Sequence, residues 1–171
     1  MKTNTKDLAV VDYFLKPGFI YLPEVPTAIS AVVGSSVAVC LFDKKKKIGG
    51  MNLYKLPAKG KKEKAVPIYG NVATRALVTM MIHQGSKAKH IQSQIFGGAF
   101  NGEVSPRDIG RDNVVMARQI LNRMHIHIVS EDVGGSLGRK IVFNTLTNDV
   151  AILKTSTLRK SDWYPYEESR N

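Results

Sequence analysis

The segment spanning residues 37–42 (VAVCLF) is apolar at every position. Successive side chains of a strand point to opposite faces, so an apolar run of this length predicts a central strand that is buried on both sides. Upstream, residues 29–33 form a second β-rich piece that is separated from it by Gly34-Ser35-Ser36. Downstream, four lysines form a turn, after which residues 48–56 are expected to return beside the central strand. This part of the chain therefore predicts a sheet whose two faces are both covered.

Two helices are indicated by apolar residues at helical spacing. For the first, Asn71 is expected to cap the start and Gly85 to end it; for the second, Asp112 lies near the start. The spacing is carried by Val72, Ala73, Ala76, Leu77, Met80 and Met81 in the first helix, and by Val114, Ala117, Ile120, Leu121 and Met124 in the second.

Shorter β segments are predicted around these helices, at residues 8–22, 91–96, 126–129, 140–143 and 150–153. The chain is predicted to be a mixed α/β protein with at least six strands. Its 171 residues suit one domain, assigned to residues 1–160, followed by a polar tail at residues 161–171 in which Trp163, Tyr164 and Tyr166 could dock.

The formal net charge is +11, and nine of the lysines lie between residues 44 and 64. This stretch contains no arginine, and its one aromatic residue is Tyr54. Surfaces that bind nucleic acid more often combine arginine forks with aromatic side chains that stack on bases. The charge therefore favours soluble loops and an acidic protein partner over nucleic acid.

Cysteine and histidine provide no metal or cofactor site. The single cysteine, Cys40, excludes an intramolecular disulfide and is expected to be a small buried apolar residue. Of the four histidines, only His125 and His127 are expected to share a strand face, and no nearby carboxylate or cysteine completes a ligand set. The apolar run at residues 28–42 is too short to span a bilayer, and no signal peptide is apparent, which predicts a cytoplasmic protein without membrane insertion.

Glycine-rich turns follow several predicted strands. None has the spacing of a phosphate-binding loop or a dinucleotide turn. Close backbone approach at several strand ends is typical of a framed binding slot, and a serine at Gly34-Ser35-Ser36 is a candidate nucleophile. The glycines concerned are Gly34, Gly49, Gly50, Gly97, Gly98, Gly134, Gly135 and Gly138.

Six segments, in unbroken order, resemble the chemoreceptor glutamine deamidases of bacterial chemotaxis, the CheD family. Residues 33–43 (VGSSVAVCLFD) are similar to that family's GSCVAVCLYD stretch, and residues 48–57 (IGGMNLYKLP) to its IGGMAHFMLP stretch. The other four are YGNVA at 69–73, IFGGA at 95–99, IGRDN at 109–113 and EDVGGSLGRK at 131–140. The resemblance covers about residues 18–154.

The resemblance implies a layered α/β/β sandwich of mixed sheets with two main helices packed on one side. It also implies hydrolysis of a glutamine side-chain amide on chemoreceptor helices to glutamate and ammonia. In the family a cysteine thiolate attacks the amide carbon, a histidine activates it, and a threonine is the third site residue. The implied partners are chemoreceptor cytoplasmic helices and a CheC-type chemotaxis phosphatase.

This chain departs from the family at all three site positions. Ser36 occupies the position of the nucleophile, Leu53 that of the histidine, and Ser30 that of the threonine. The principal hypothesis is therefore a catalytically degenerate adaptor that retains the binding slot, formed by Gly34, Ser35, Ser36, Phe96, Gly97, Gly98, Phe100, Gly134 and Gly135. The lysines of residues 44–64 are expected to lie in loops beside this slot and to steer it to acidic receptor helices. The alternatives are a slow deamidase that uses Ser36, and a basic nucleic-acid-binding domain.

Overall fold

The computed structural model describes residues 10–157, and within them the chain forms nine strands and two α-helices. A short 3₁₀ turn, Ala88–His90, precedes β6. The predicted polar tail lies outside the described residues. The elements are β1 Val11–Phe14, β2 Phe19–Tyr21, β3 Thr27–Val33, β4 Val37–Asp43, β5 Ile48–Tyr54, α1 Gly70–His83, β6 Ile91–Gly97, α2 Ile109–Arg123, β7 His127–Val133, β8 Gly138–Asn144 and β9 Val150–Thr155.

The strands form two mixed sheets that stack on each other. One has four strands in the order β1-β3-β8-β9, and the other has five in the order β2-β5-β4-β6-β7. Helices α1 and α2 pack on the outer face of the five-stranded sheet, so one apolar core lies under the helices and a second lies between the sheets. The expected layered α/β/β sandwich is confirmed.

Strand β4 is the central strand predicted from its composition. All seven of its residues are buried, and β5 and β6 flank it in antiparallel orientation. Val37, Val39 and Leu41 contribute to the core under the helices, whereas Ala38, Cys40 and Phe42 contribute to the core between the sheets. Burial raises the pKa of the Cys40 thiol, as expected for a small apolar residue in the core.

The two β-rich pieces on either side of Gly34-Ser35-Ser36 belong to different sheets. Strand β3 pairs with β1 and β8, while β4 pairs with β5 and β6. The three-residue connection therefore crosses from one sheet to the other. Strand β4 then carries the chain from Val37 to Asp43, a distance of about 20 Å at roughly 3.3 Å per residue.

Because of this direction, the two lysine groups lie at opposite ends of the five-stranded sheet. Residues 44–47 form the turn after Asp43, whereas Lys55 follows β5 at the end near Ser36. The expectation that residues 44–64 lie together beside the predicted slot is wrong for residues 44–47. An antiparallel return reverses the chain, so neighbours along the sequence are separated by the length of a strand.

Several local predictions also need correction. Asn71 does not cap α1, because Tyr69 is the N-cap residue and the Asn71 side chain instead accepts a hydrogen bond from Lys59 N at 3.3 Å. Helix α2 is capped by Asp108, whose carboxylate accepts from Arg111 N at 2.9 Å. His125 lies in a turn with φ of 58° before β7 begins, so His125 and His127 do not share a strand face. Gly85, with φ of 90°, ends α1 as predicted.

Candidate functional site

Residues 98–100 join the glycine-rich turns that the sequence singled out. Gly98 N donates to Ser36 O at 2.9 Å, and Ala99 N donates to Gly34 O at 2.8 Å. The next residue, Phe100, donates its N–H to Gly135 O at 2.8 Å. Three consecutive amides thus hold the connection between β3 and β4 against the turn after β7.

Gly97 brings the backbone of β6 onto Ser36. It has φ of 108°, a conformation that residues with a side chain rarely adopt, and a methyl group there would overlap the Ser36 carbonyl oxygen. Gly98 and Gly110 also approach each other closely, because a side chain added to either glycine would meet the backbone of the other. These glycines therefore set the position of Ser36 and of the start of α2.

Asn113 connects α2 to the strand ends on either side of the candidate site. Its side-chain amide is fully buried and donates to Ser35 O at 2.9 Å and to Lys55 O at 3.0 Å. The Tyr54 hydroxyl in turn donates to the Asn113 carbonyl. One amide thus fixes the residue before Ser36 and the residue two positions after Leu53.

The turn at Gly134-Gly135 is held by a buried arginine. Arg139, which is 3% exposed, donates to the Asp132 carboxylate at 3.0 Å and to Gly134 O at 3.0 Å. Lys154 pairs with the same carboxylate at 2.9 Å. Burial by itself raises the pKa of Asp132, but the hydrogen bonds from Lys154 and Arg139 outweigh it, so the pKa lies below its ordinary value.

A cleft of about 680 Å³ opens at this end of the five-stranded sheet. Of the described residues that line it, Lys55 and Arg107 are charged and none is acidic. Five serine residues also line it: Ser35, Ser36, Ser105, Ser136 and Ser156. A second, smaller cleft of about 410 Å³ shares Phe100 with it.

The predicted slot residues divide between these two clefts and the core. Gly34, Ser35, Ser36 and Phe100 line the larger cleft, and Gly98, Phe100, Gly134 and Gly135 line the smaller one. Phe96, 1% exposed, packs in the core between the sheets, and Gly97 acts through its contact with Ser36. Neither Phe96 nor Gly97 lines either cleft.

The three positions predicted to correspond to the family's catalytic residues have different surroundings. Ser36 is 7% exposed and lines the larger cleft, and among the described residues no group forms a hydrogen bond with its hydroxyl. Leu53 is fully buried in the core between the sheets. Ser30 is half-buried on β3, where its neighbours Ile29 and Ala31 face that core, so strand alternation turns Ser30 to the opposite face.

The four histidines all lie at the other end of the five-stranded sheet. His83 is the last residue of α1, and His125 follows α2. His127 pairs with Gln92 at the start of β6, and the carbonyl of His90 accepts from Lys44 N. They are therefore separated from Ser36 by about the length of β4, roughly 20 Å. Within the described residues, no group of three or more His, Cys, Asp or Glu side chains is arranged to hold a metal ion.

Sequence reasoning missed the residues that hold the site together. Asn113, Asp132 and Arg139 each lie inside a segment that resembles the CheD family, and that location was the available signal. Asn113 bonds to the backbone of Ser35 and Lys55, which lie 78 and 58 positions away in sequence, whereas Arg139 bonds to Asp132 and Gly134 within its own segment.

The chain is a two-sheet α/β sandwich. Its larger cleft lies where the glycine-rich turns, the start of α2 and the loop between β3 and β4 meet. A family model described as CheD chemotactic sensory transduction matches residues 55–154. That match begins after Ser36 and Leu53. The chain belongs to the CheD family.

Relatives from diverse prokaryotes agree with this assignment. A protein of Trichlorobacter lovleyi is 36% identical over 142 residues, covering 82% of this chain and 88% of its own. One from Sulfurimonas denitrificans is 40% identical over 119 residues (68% and 76%), and one from Methanococcus maripaludis is 32% identical over 148 (85% and 96%). Each is named a probable chemoreceptor glutamine deamidase CheD. Among the described residues, no helix of this chain is long and apolar enough to cross a membrane.

Proposed function

We propose that this chain is a chemotaxis protein that binds chemoreceptor cytoplasmic helices through the larger cleft without deamidating them at a useful rate. The observation that carries the proposal is the absence of an imidazole near Ser36. Leu53 stands where the family's histidine is expected, and all four histidines of the chain lie at the far end of the sheet.

The chemistry at Ser36 supports this proposal. A serine hydroxyl is a weak nucleophile until an adjacent base accepts its proton. Leu53 has no proton acceptor, and within the described residues the Ser36 hydroxyl has no hydrogen-bond partner. Loss of either the nucleophile or the base of such a pair lowers turnover by about 10⁶-fold in a well-characterised serine enzyme.

The cleft is suited to binding an acidic helix. Lys55 and Arg107 supply positive charge, and the serine residues that line it supply hydrogen-bonding groups for polar side chains. The exposed lysines at residues 61, 62 and 64 lie in the loop between β5 and α1, at the same end of the sheet. Long-range attraction from these charges would speed encounter with an acidic receptor surface. A CheC-type phosphatase is the second partner that we propose for this face.

Ammonia release from a receptor fragment that carries target glutamines tests the catalytic part. We expect no release above background from the unaltered chain, while the fragment still binds in a pull-down or by fluorescence anisotropy. Ammonia release that Ser36→Ala abolishes would contradict the proposal and establish a serine-dependent deamidase. That alternative is retained because Ser36 lines the cleft and keeps a hydroxyl group.

Restoring the family's residues gives a stricter test. We expect Ser36→Cys alone to remain inactive and Ser36→Cys combined with Leu53→His to release ammonia. The matched control is Ser35→Cys with Leu53→His, because Ser35 is the exposed neighbour that also lines the cleft. Circular dichroism and thermal unfolding show whether each variant is folded. A folded double variant that binds the fragment but releases no ammonia would contradict the assignment of positions 36 and 53.

A further inference from the structure

Three chain segments that are rich in positive charge meet at the end of the five-stranded sheet away from the cleft. We call this surface the basic end, and it consists of residues 44–47, 83–90 and 123–127. Its fixed cations are all exposed: Lys44, Lys45, Lys46, Lys47, Lys87, Lys89 and Arg123. All four histidines lie in the same segments, at positions 83, 90, 125 and 127.

Within residues 10–157, no acidic side chain pairs with the cations of this surface. The one carboxylate in or next to these segments, Asp43, is fully buried, and its Oδ1 accepts hydrogen bonds from Lys45 N at 2.8 Å and Lys46 N at 3.0 Å. None of the seven cations forms an ion pair with a carboxylate of the described residues. Glu24 and Asp149 lie at the same end of the molecule, in loops beside the four-stranded sheet.

The pKa of His90 reflects the positive potential at the basic end. Partial loss of hydration and then the charges of Lys45 and Lys89 lower its pKa, and they outweigh the opposite influence of Asp43. Residues 44–47 are in direct contact with the end of α1, because the Lys46 ammonium donates a hydrogen bond to Gln84 O at 2.6 Å. Residues 123–127 adjoin the other two segments because His127 pairs with Gln92 at the start of β6, so the three segments form one continuous surface.

The residue types indicate what such a surface binds. Six of the seven cations are lysines, whose ammonium groups are hydrated point charges without the fork that arginine offers to a single carboxylate or phosphate. Specific protein interfaces are depleted in lysine, and single-stranded nucleic acid is held by stacking on aromatic rings. These three segments contain no Phe, Tyr or Trp. A diffuse anionic surface, rather than a shaped partner, matches this composition.

We propose that the basic end attaches the protein reversibly to the surface of a bilayer that is rich in anionic phospholipid. The attachment is electrostatic and inserts no segment into the hydrocarbon. Each lysine or arginine held near such a surface strengthens the attachment about fivefold. Because the cleft lies about one strand length, roughly 20 Å, from the basic end, a bilayer-bound molecule keeps its cleft open to other partners. The attachment is independent of what the cleft binds.

Co-sedimentation with vesicles tests the proposal. We expect the protein to bind vesicles of phosphatidylcholine mixed with phosphatidylglycerol at low salt, to bind phosphatidylcholine alone much more weakly, and to be released by added salt. The triple variant Lys44→Gln, Lys45→Gln, Lys47→Gln should lower the partition coefficient by about 100-fold. Lys46 is left intact because it bonds to α1.

The matched control is Lys61→Gln, Lys62→Gln, Lys64→Gln. It removes the same charge from exposed lysines at the cleft end, and we expect its effect to stay within about threefold. Equal losses from the two triplets would overturn the proposal, as would no binding to anionic vesicles at low salt. So would displacement from the vesicles by duplex DNA or polyglutamate at an equal concentration of negative charge, since either would show a different preferred partner.

Orientation gives a second measurement. Since Cys40 is buried, an environment-sensitive dye on Gln84→Cys or Ser35→Cys labels one end of the molecule at a time. We expect anionic vesicles to shift the emission of the Gln84→Cys label and to leave that of the Ser35→Cys label unchanged. A larger shift at Ser35→Cys would overturn the proposed orientation.

Discussion

At one end of the five-stranded sheet, backbone groups approach one another closely, and at the other end charged side chains project into solvent. Near Ser36, the backbones of Gly97, Gly98 and Gly110 touch neighbouring segments with no space for a side chain. At the basic end, one buried carboxylate shapes a turn whose four lysines are all exposed. This scaffold therefore separates two kinds of surface: close backbone contacts fix the geometry of the cleft end, whereas exposed cations cover the basic end.

The largest effect is expected where the backbone approach is closest. Gly97→Ala should lower the free energy of unfolding by about 4 kcal/mol, because the new methyl group overlaps the Ser36 carbonyl in a left-handed conformation. The control is Gly134→Ala, which has φ of 75° but nothing within 4 Å of the added carbon, and it should cost about 1 kcal/mol. Urea unfolding measures both. Equal costs would show that the close approach does not matter.

The second-largest effect is expected at Asn113, whose side-chain amide connects α2 to the strand ends. Asn113→Ala removes two buried hydrogen bonds and leaves the carbonyls of Ser35 and Lys55 unpaired, which should cost about 3 kcal/mol. Hydrogen exchange should accelerate at residues 34–36. Asn71→Ala is the control, because it loses one partly exposed contact at 3.3 Å and should change stability by less than about 0.5 kcal/mol. Unchanged exchange at residues 34–36 in a destabilised variant would argue against a local role for Asn113.

At the basic end, the expected effect is smaller and depends on pH. Burial by itself raises the pKa of Asp43, but hydrogen bonds led by the Lys46 amide outweigh it, so the pKa is lowered below 3.8. A lowered pKa means that the folded state prefers the ionised form, so this stability is complete at neutral pH and is lost as the pH falls below 3.8.

Replacing that carboxylate isolates its contribution. Asp43→Ala should cost about 2 kcal/mol at pH 7 and progressively less in acid. Asp149→Ala, at an exposed position on the same end of the molecule, is the control and should change stability at pH 7 by less than about 0.5 kcal/mol. A constant difference between Asp43→Ala and the unaltered chain across the acid range would contradict the assignment of the lowered pKa to Asp43.

Local features of the fold were predictable from the sequence because they depend on short-range periodicity. The apolar run of β4, the helical spacing in α1 and α2, and the turn at residues 44–47 each depend on neighbours within a few positions. The helix starts were less predictable. Asn71 and Asp108 are both good capping residues, and only the direction in which the chain enters each helix decides that Asp108 caps and Asn71 does not.

The resemblance to the CheD family supplied a list of candidate site positions, which stays a prediction, but it did not supply their geometry. Ser36 and Phe100 line the larger cleft, whereas Phe96, only a few residues before Phe100, is inside the core. The reason is that Phe96 lies on β6 and faces the core between the sheets, whereas Phe100 lies three residues beyond the end of the strand, after the chain has turned at Gly97 and Gly98. The connection made by Asn113 joins residues 78 and 58 positions apart, so no local pattern could reveal it.

The family and the element types could be assigned from the sequence, which also predicts that Ser36 and Leu53 replace the family's cysteine and histidine. These assignments and this prediction depend only on residue identity and local spacing. Only the tertiary structure decided that β3 and β4 belong to different sheets, that residues 44–47 lie away from the cleft, and that all four histidines join them there. The physical reason is that strand direction and pairing set distances in space, and both are decided by which apolar faces can be buried together.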